Sequence, residues 1–70
     1  ILIIPKKPYI DVLDFLENAD VDYHSNFWIS VNKIISQLDL KNKGFQIKTH
    51  KGKDGGQEVF HFHLHLLSDS

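Results

Sequence analysis

Residues 58–67 alternate between apolar and polar side chains more regularly than any other segment of this sequence. Successive side chains of a β-strand point to opposite faces, so the alternation predicts a strand with one apolar and one polar face. The residues divide into Phe60, Phe62, Leu64 and Leu66 on the apolar face and His61, His63 and His65 on the polar face. We therefore expect the apolar face to be anchored in a core while these three imidazoles, the histidine row, point away from it.

Two further strands are predicted on either side of a helical region. Residues 1–4 form a continuous apolar run that Pro5 ends, which is typical of a strand buried on both faces. Residues 45–49 alternate and predict a half-buried strand. Residues 50–56, the glycine turn, are rich in residues that tolerate positive φ. The order strand, helix, helix, strand, turn, strand predicts an α+β fold in which the helices cover one face of an antiparallel sheet.

The helical region contains two periodic segments. Asp11 is expected to cap a short helix that ends near Asn18. A second, amphipathic helix is expected to begin after a polar connection, with Ser25 or Asn26 as its cap. Lysines and a left-handed Gly44 are expected to end this second helix.

Composition excludes several classes of protein. The 8 basic and 9 acidic residues are interspersed and give a net charge of −1, so we expect no nucleic-acid partner. No apolar run is long enough to cross a membrane, so no membrane association is expected. The absence of cysteine excludes disulfides and Cys-ligated zinc and favours a cytoplasmic location.

The beginning of the chain is unusual. It does not start with Met but directly in the apolar run of residues 1–4. Because a buried strand rarely opens a natural chain, we expect further residues upstream. Residues 1–70 are accordingly interpreted as one partial domain.

The histidine row suggests chemistry at phosphorus. A neutral imidazole is a competent nucleophile near neutral pH, since its reference pKa is about 6.5. Cationic neighbours stabilise charge on a phosphoryl group, and backbone N–H groups of the glycine turn can point at an anion. The combination predicts a phosphoester or phosphoramidate substrate.

Three other interpretations of the histidine row compete with this one. A His-X-His pair on a strand is a common zinc or iron ligand pair, although no Cys or carboxylate completes an evident set and Glu58 is the nearest candidate. A purification tag would not alternate with large apolar residues. A solvated sheet face that carries histidines by chance remains the third alternative.

At these residues the sequence resembles the histidine triad (HIT) family, whose signature is His-φ-His-φ-His-φ-φ with φ apolar. Residues 61–67 match every position. Residues 54–57 resemble the loop of the family's nucleotide-binding branch, and residues 3–7 resemble its strand ending in Ile-Pro-Lys-Lys. The resemblance implies a HIT-like antiparallel sheet with two helices, incomplete at its N-terminus.

The resemblance also implies a reaction. Such proteins hydrolyse or transfer nucleotides at the α-phosphorus, and the expected substrate is a purine nucleoside phosphoramidate or a related nucleotide. By resemblance, His63 would attack phosphorus and form a nucleotidyl-histidine that water then cleaves. The backbone carbonyl of His61 would orient the His63 ring, and His65 would contact phosphate. No metal or other cofactor is implied, and the branch forms homodimers with a continuous sheet.

The phosphate-binding positions implied by the resemblance are His50, Gly56, Gln57 and Glu58. Two of them depart from the branch's pattern, because Glu58 replaces a common Ser or Thr and His50 replaces a common Asn. The negative charge of Glu58 would repel phosphate unless the carboxyl group is protonated or turned away, whereas His50 can still donate a hydrogen bond. The histidine before the first strand and the strands that clasp the nucleoside are absent. The alternative is therefore a non-catalytic nucleotide-binding or protein-interaction remnant.

Overall fold

The computed structural model of the chain describes residues 1–52, 55–56 and 60–68. Within these residues the elements are β1 (Leu2–Ile3), α1 (Val12–Asn18), α2 (Val21–Gln37), β2 (Phe45–Lys48) and β3 (Leu64–Ser68). The strands form one antiparallel sheet in the order β1-β3-β2. The predicted α+β class and the antiparallel pairing of β2 with β3 are confirmed.

Strand β3 is central, and its N-terminal half is paired on both sides. Leu64 lies opposite Ile3 of β1. His65 lies between Leu2 of β1 and Lys48 of β2. This register places a member of the histidine row at the middle of the sheet.

Helix α1 begins where the sequence predicts. The Asp11 carboxylate accepts a hydrogen bond from the backbone N–H of Asp14 at 2.8 Å, and the Asp14 carboxylate accepts from the N–H of Ile10 at 2.8 Å. This exchange satisfies two donors at the N-terminus of the helix. The helix ends after Asn18, as predicted, because Ala19 already has extended backbone angles.

The predicted start of α2 is wrong. The helix begins at Val21, where Asp20 accepts a hydrogen bond from the N–H of Tyr23 at 2.8 Å. The predicted caps Ser25 and Asn26 therefore lie inside the helix. An aspartate at the N-cap satisfies a free N–H group and interacts favourably with the helix dipole, so the helix starts one turn earlier.

The predicted end of α2 is also wrong in its details. Leu38 is the C-cap, and Asp39 takes the left-handed conformation with φ of 56°. Gly44, the predicted left-handed residue, has no positive φ. Asp tolerates this region better than most residues, and its backbone turn lets Leu40 return to the core, where it is 4% exposed.

The core lies between the helices and one face of the sheet. Phe15 of α1 is fully buried, and its ring centroid lies 4.8 Å from that of Phe62 and 5.0 Å from that of Phe27. The buried apolar residues of the described chain are Ile3, Phe15, Phe27, Val31, Leu40, Phe62, Leu64 and Leu66.

The outer strands are more exposed than their sequence patterns predict. Ile3 is buried, but Leu2 and Ile4 are 53% and 54% exposed, so β1 is not buried on both faces. Every residue of β2 is exposed, which contradicts the half-buried prediction. Both strands lie at the edges of the described sheet, where fewer neighbours cover their side chains.

Strand β3 begins later than the alternation predicts. Its ladder starts at Leu64, and Phe60 is 62% exposed instead of lying on the buried face. The N–H of Phe62 donates to the carbonyl of Tyr9 at 2.6 Å, within the link that follows Pro5. Because proline ends β1, this part of the segment pairs with an irregular link instead of a strand.

Candidate active site

The histidine row lies on the face of its segment opposite the core. Phe62, Leu64 and Leu66 are at most 4% exposed, and the intervening His61, His63 and His65 are all half-buried. The apolar residues anchor the segment, so the imidazoles are held at the surface in fixed positions. The predicted division of faces therefore holds from residue 61 to residue 66, including the part before the β3 ladder.

His63 has a defined tautomer. Its Nδ1 lies 2.8 Å from the backbone carbonyl oxygen of His61. Because a carbonyl oxygen only accepts, Nδ1 must carry the proton. In the neutral ring the lone pair is then on Nε2, which is the nitrogen available for nucleophilic attack.

The backbone of His63 is also held in place. Its carbonyl oxygen accepts a hydrogen bond from the Thr49 hydroxyl at 2.8 Å. Thr49 directly follows β2, so this contact joins the ends of two neighbouring strands. Sequence reasoning assigned Thr49 only to a strand face, because nothing in its spacing from residue 63 signals the contact.

His61 is tied to the end of β1. Its Nε2 donates to the carbonyl oxygen of Pro5 at 3.3 Å. Proline retains its carbonyl acceptor although it lacks an N–H group. Pro5 thus helps to position the histidine row, a role that the sequence did not reveal.

His65 lies among other basic groups. Its ring centroid is 4.9 Å from that of His63 and 5.7 Å from that of His50. Partial burial lowers the pKa of His65, and the neighbouring His63 and His50 rings lower it further, with a smaller contribution from Lys48. The neutral ring is therefore favoured at this position.

The glycine turn is positioned by His50. The His50 Nδ1 donates to the carbonyl oxygen of Gly55 at 2.8 Å. Gly55 has no room for a side chain, because a Cβ there would collide with the carbonyl oxygen of Lys51. Gly56 has a φ of +87°, and a Cβ there would lie 3.5 Å from His50 Nδ1. Gly55 allows the turn to approach the backbone of Lys51, and Gly56 allows the positive φ beside the imidazole.

The glycine turn is also connected to α1. The Lys51 ammonium lies 3.9 Å from the carboxylate of Asp11, the N-cap of α1. The lysine side chain is 51% exposed, so we expect at most about 1 kcal/mol from this pair. The pair links the glycine turn to the N-terminus of α1.

The structure thus brings together most of the predicted site residues. His50, His63 and His65 form a chain of neighbouring rings, His61 supports His63, and Gly56 lies against His50. Gln57 and Glu58, two predicted phosphate-binding residues, lie outside the described residues. Across the part of the chain that is described, no group of three or more His, Cys, Asp or Glu side chains is arranged to hold a metal ion.

The fold and site define a class: an α+β protein whose central strand presents a row of imidazoles beside a glycine turn. The HIT domain family model matches residues 1–70, and the chain belongs to this family. The predicted family membership is therefore confirmed.

Individual relatives agree with this assignment. The chain is 37% identical over 67 residues to an uncharacterised HIT-like protein of Rickettsia prowazekii, with 96% of this chain and 56% of the relative covered. A HIT family hydrolase from Clostridium thermocellum superimposes with a TM-score of 0.80 at 32% identity, covering 99% of this chain and 59% of the other.

A third comparison concerns a nucleotide-binding protein. A hypothetical histidine triad nucleotide-binding protein from Sulfolobus tokodaii superimposes with a TM-score of 0.68 at 30% identity, covering 96% of this chain and 44% of the other. The chain thus spans between 44% and 59% of the length of these proteins. This partial coverage agrees with the predicted incomplete HIT domain.

Among the described residues, no helix combines the length and apolar character needed to cross a membrane. The cytoplasmic location suggested by composition stays a prediction.

Proposed function

We propose that this chain provides the nucleophile and the phosphate side of a HIT enzyme that cleaves nucleotides at the α-phosphorus. The proposed substrate is a purine nucleoside phosphoramidate or a related nucleotide. The observation that carries the proposal is the hydrogen bond from His63 Nδ1 to the His61 carbonyl, because it directs the lone pair of the neutral ring to Nε2.

In the first step, the lone pair of His63 Nε2 attacks the α-phosphorus. A nitrogen–phosphorus bond forms as the bond from phosphorus to the leaving amine breaks. The amine nitrogen takes the electron pair of the broken bond and a proton from solvent water. The His63 ring becomes a nucleotidyl-imidazolium, whose positive charge is stabilised by the His61 carbonyl oxygen that accepts from Nδ1.

In the second step, water attacks the same phosphorus atom. The phosphorus–Nε2 bond breaks, its electron pair returns to the His63 ring, and the nucleoside monophosphate leaves with the water oxygen. The water protons balance the proton taken by the amine, so His63 ends in its starting state. No group other than water is consumed.

The remaining site residues are assigned to the phosphate. His65 lies next to His63 and is proposed to contact a non-bridging oxygen. His50 and Gly56 border the same region from the glycine turn. Gln57 and Glu58 are proposed to complete the phosphate side, on the family resemblance alone.

The proposed enzyme acts as a homodimer. Exposed apolar residues on two elements support this proposal: Phe45 and Ile47 on the edge strand β2, and Trp28 and Ile29 on α2. Light scattering should give a mass of two chains. A monomeric mass at the concentrations used for assays would overturn the dimer proposal.

Turnover provides the test of the proposed activity. The protein should release the amine from an adenosine 5′-phosphoramidate, and His63→Ala should abolish the release. Release that persists in a folded His63→Ala variant would overturn the assignment.

The similarity to a hypothetical histidine triad nucleotide-binding protein supports one alternative, a nucleotide-binding or protein-interaction remnant without catalysis. A folded protein that binds a nucleoside monophosphate but releases no amine at high protein concentration would support this alternative. Release of the amine through His63 would exclude it.

A further inference from the structure

His50 occupies a connecting position in the site. Its Nδ1 donates to the carbonyl oxygen of Gly55, its ring centroid lies 5.7 Å from that of His65, and a Cβ at Gly56 would lie 3.5 Å from Nδ1. An imidazole at this place has a chemical property that a side-chain amide lacks, because it can exist as a neutral ring or as a protonated ring with two N–H donors.

The hydrogen bond to Gly55 determines what the neutral His50 ring can offer a ligand. Since the Gly55 carbonyl only accepts, the His50 proton is on Nδ1. Nε2 of the neutral ring then carries a lone pair, which repels a phosphate oxygen. Protonation converts Nε2 into a charged N–H donor without disturbing the bond to Gly55.

The surroundings of His50 make an anion the expected ligand. His65 adjoins its ring, and the basic side chains of His63 and Lys48 lie beside His65 and lower its pKa. The nearby Lys51 is paired with the carboxylate of Asp11. A bound phosphate would offset this crowding of basic groups and favour the protonated His50 ring.

We propose that His50 makes phosphate binding depend on protonation, so that the site takes up a proton together with its nucleotide. This proposal rests on the proposed function only in that the site binds a nucleotide phosphate. His50 is a specificity-determining residue that selects an anionic phosphate when its ring is protonated. An asparagine at the same place would donate its amide N–H at any pH.

The coupling between proton uptake and ligand binding predicts how affinity changes with pH. Where the free His50 ring is neutral and the bound ring is protonated, affinity falls by up to about 10-fold for each unit of pH increase. Steady-state kinetics would show this dependence in KM, because His50 is proposed to bind phosphate without taking part in bond formation. The expected kcat of His50→Asn changes less than its KM.

Binding of adenosine 5′-methylphosphate provides the test. This phosphate diester keeps a single negative charge between pH 5.5 and 8.5, a window of about three units around the reference pKa of histidine. A change in affinity within this window therefore does not come from titration of the ligand. Calorimetry in two buffers of different ionisation enthalpy measures the protons taken up on binding. The matched variant is His50→Asn, which retains a side-chain N–H for the Gly55 carbonyl.

The wild-type protein should take up close to one proton more per ligand than His50→Asn near neutral pH. Affinity should fall with increasing pH in the wild type and stay flatter in the variant. Equal proton uptake and equal pH dependence in the two proteins would overturn the role of His50 while leaving the proposed catalysis intact. Binding by neither protein would overturn both proposals.

If His50→Asn does not fold, a measurement on the wild-type protein alone still tests the proposal. The His50 ring titration, followed by NMR, should move to higher pH when adenosine 5′-methylphosphate is bound. An unchanged titration would overturn the proposal. Ligand binding with this shift but without phosphoramidate turnover would support the role of His50 and contradict the proposed catalysis.

Discussion

The Nδ1 atom of His63 lies 2.8 Å from the backbone carbonyl oxygen of His61, two residues earlier in the chain. The contact uses the main chain of one histidine to fix the ring of another. A substitution of His61 removes its ring but keeps the carbonyl oxygen that accepts from His63. Mutation can therefore test the His61 side chain separately from the His61 carbonyl. This separation leads to the first prediction.

His61→Ala should reduce activity far less than His63→Ala. The variant keeps the carbonyl that orients His63 and loses only the bond from the His61 ring to Pro5. A single hydrogen bond of this kind contributes about 0.5–1.5 kcal/mol, so kcat/KM should fall by up to about 10-fold. Steady-state rates of both variants check this, and equal losses would contradict the role of the carbonyl.

Thr49→Val should lower kcat without unfolding the protein. The substitution keeps the shape of the side chain and removes the hydroxyl that donates to the His63 carbonyl at 2.8 Å. The loss should be up to about 10-fold in kcat. Thr49→Ser retains the hydroxyl and should stay close to the wild-type rate. A Ser variant as impaired as the Val variant would show that the hydrogen bond is unimportant.

The hydrogen bonds of His61, His63 and Thr49 show which parts of the site can be predicted from the sequence. The alternation predicted which side chains of residues 61–66 face the core, because face is a local property of the segment. It did not predict the bonds from Thr49 and to Pro5, which join residues distant in the chain. The start of α2 was mispredicted because Asp20, Ser25 and Asn26 are all good caps, and only the packed structure selects among them.

Gly55→Ala should destabilise the glycine turn. A methyl group at this position would collide with the carbonyl oxygen of Lys51, so the backbone has to move. We expect a loss of about 1–3 kcal/mol in the free energy of unfolding, measured with urea. Gly44→Ala is the matched control, because nothing lies within 4 Å of a Cβ there. Equal stabilities of the two variants would contradict the close approach.

Phe15→Ala should cost more stability than any surface substitution on α1. Phe15 is fully buried and its ring contacts those of Phe27 and Phe62, so truncation removes burial and leaves a cavity. The expected loss is about 3–5 kcal/mol. Leu16→Ala, at a position that is 56% exposed on the same helix, should change stability much less. Similar unfolding midpoints would contradict the described core.

The lowered pKa of His65 predicts how stability depends on pH. Burial and the neighbouring His63 and His50 rings favour the neutral form of His65 in the folded protein. As pH falls, His65 therefore binds a proton in the unfolded chain before it does so in the folded protein. This contribution to stability is present above the unfolded value of about 6.5 and is lost as pH falls through the lowered folded value.

Urea unfolding of the wild type and of His65→Gln, measured between pH 5 and 8, tests this direction of the pH dependence. The range covers about three units and includes the reference pKa of histidine. The wild type should lose more stability than the variant toward acidic pH. A larger loss in His65→Gln would mean that the pKa of His65 is raised.

The central claim is that His63 forms a bond to phosphorus. The most direct measurement is rapid acid quenching of the protein with an adenosine 5′-phosphoramidate, followed by intact mass and peptide mapping. The account predicts a transient gain of one adenylyl group on the His63 ring, present in His50→Asn and absent in His63→Ala. Turnover without such an adduct, or an adduct on another residue, would contradict it.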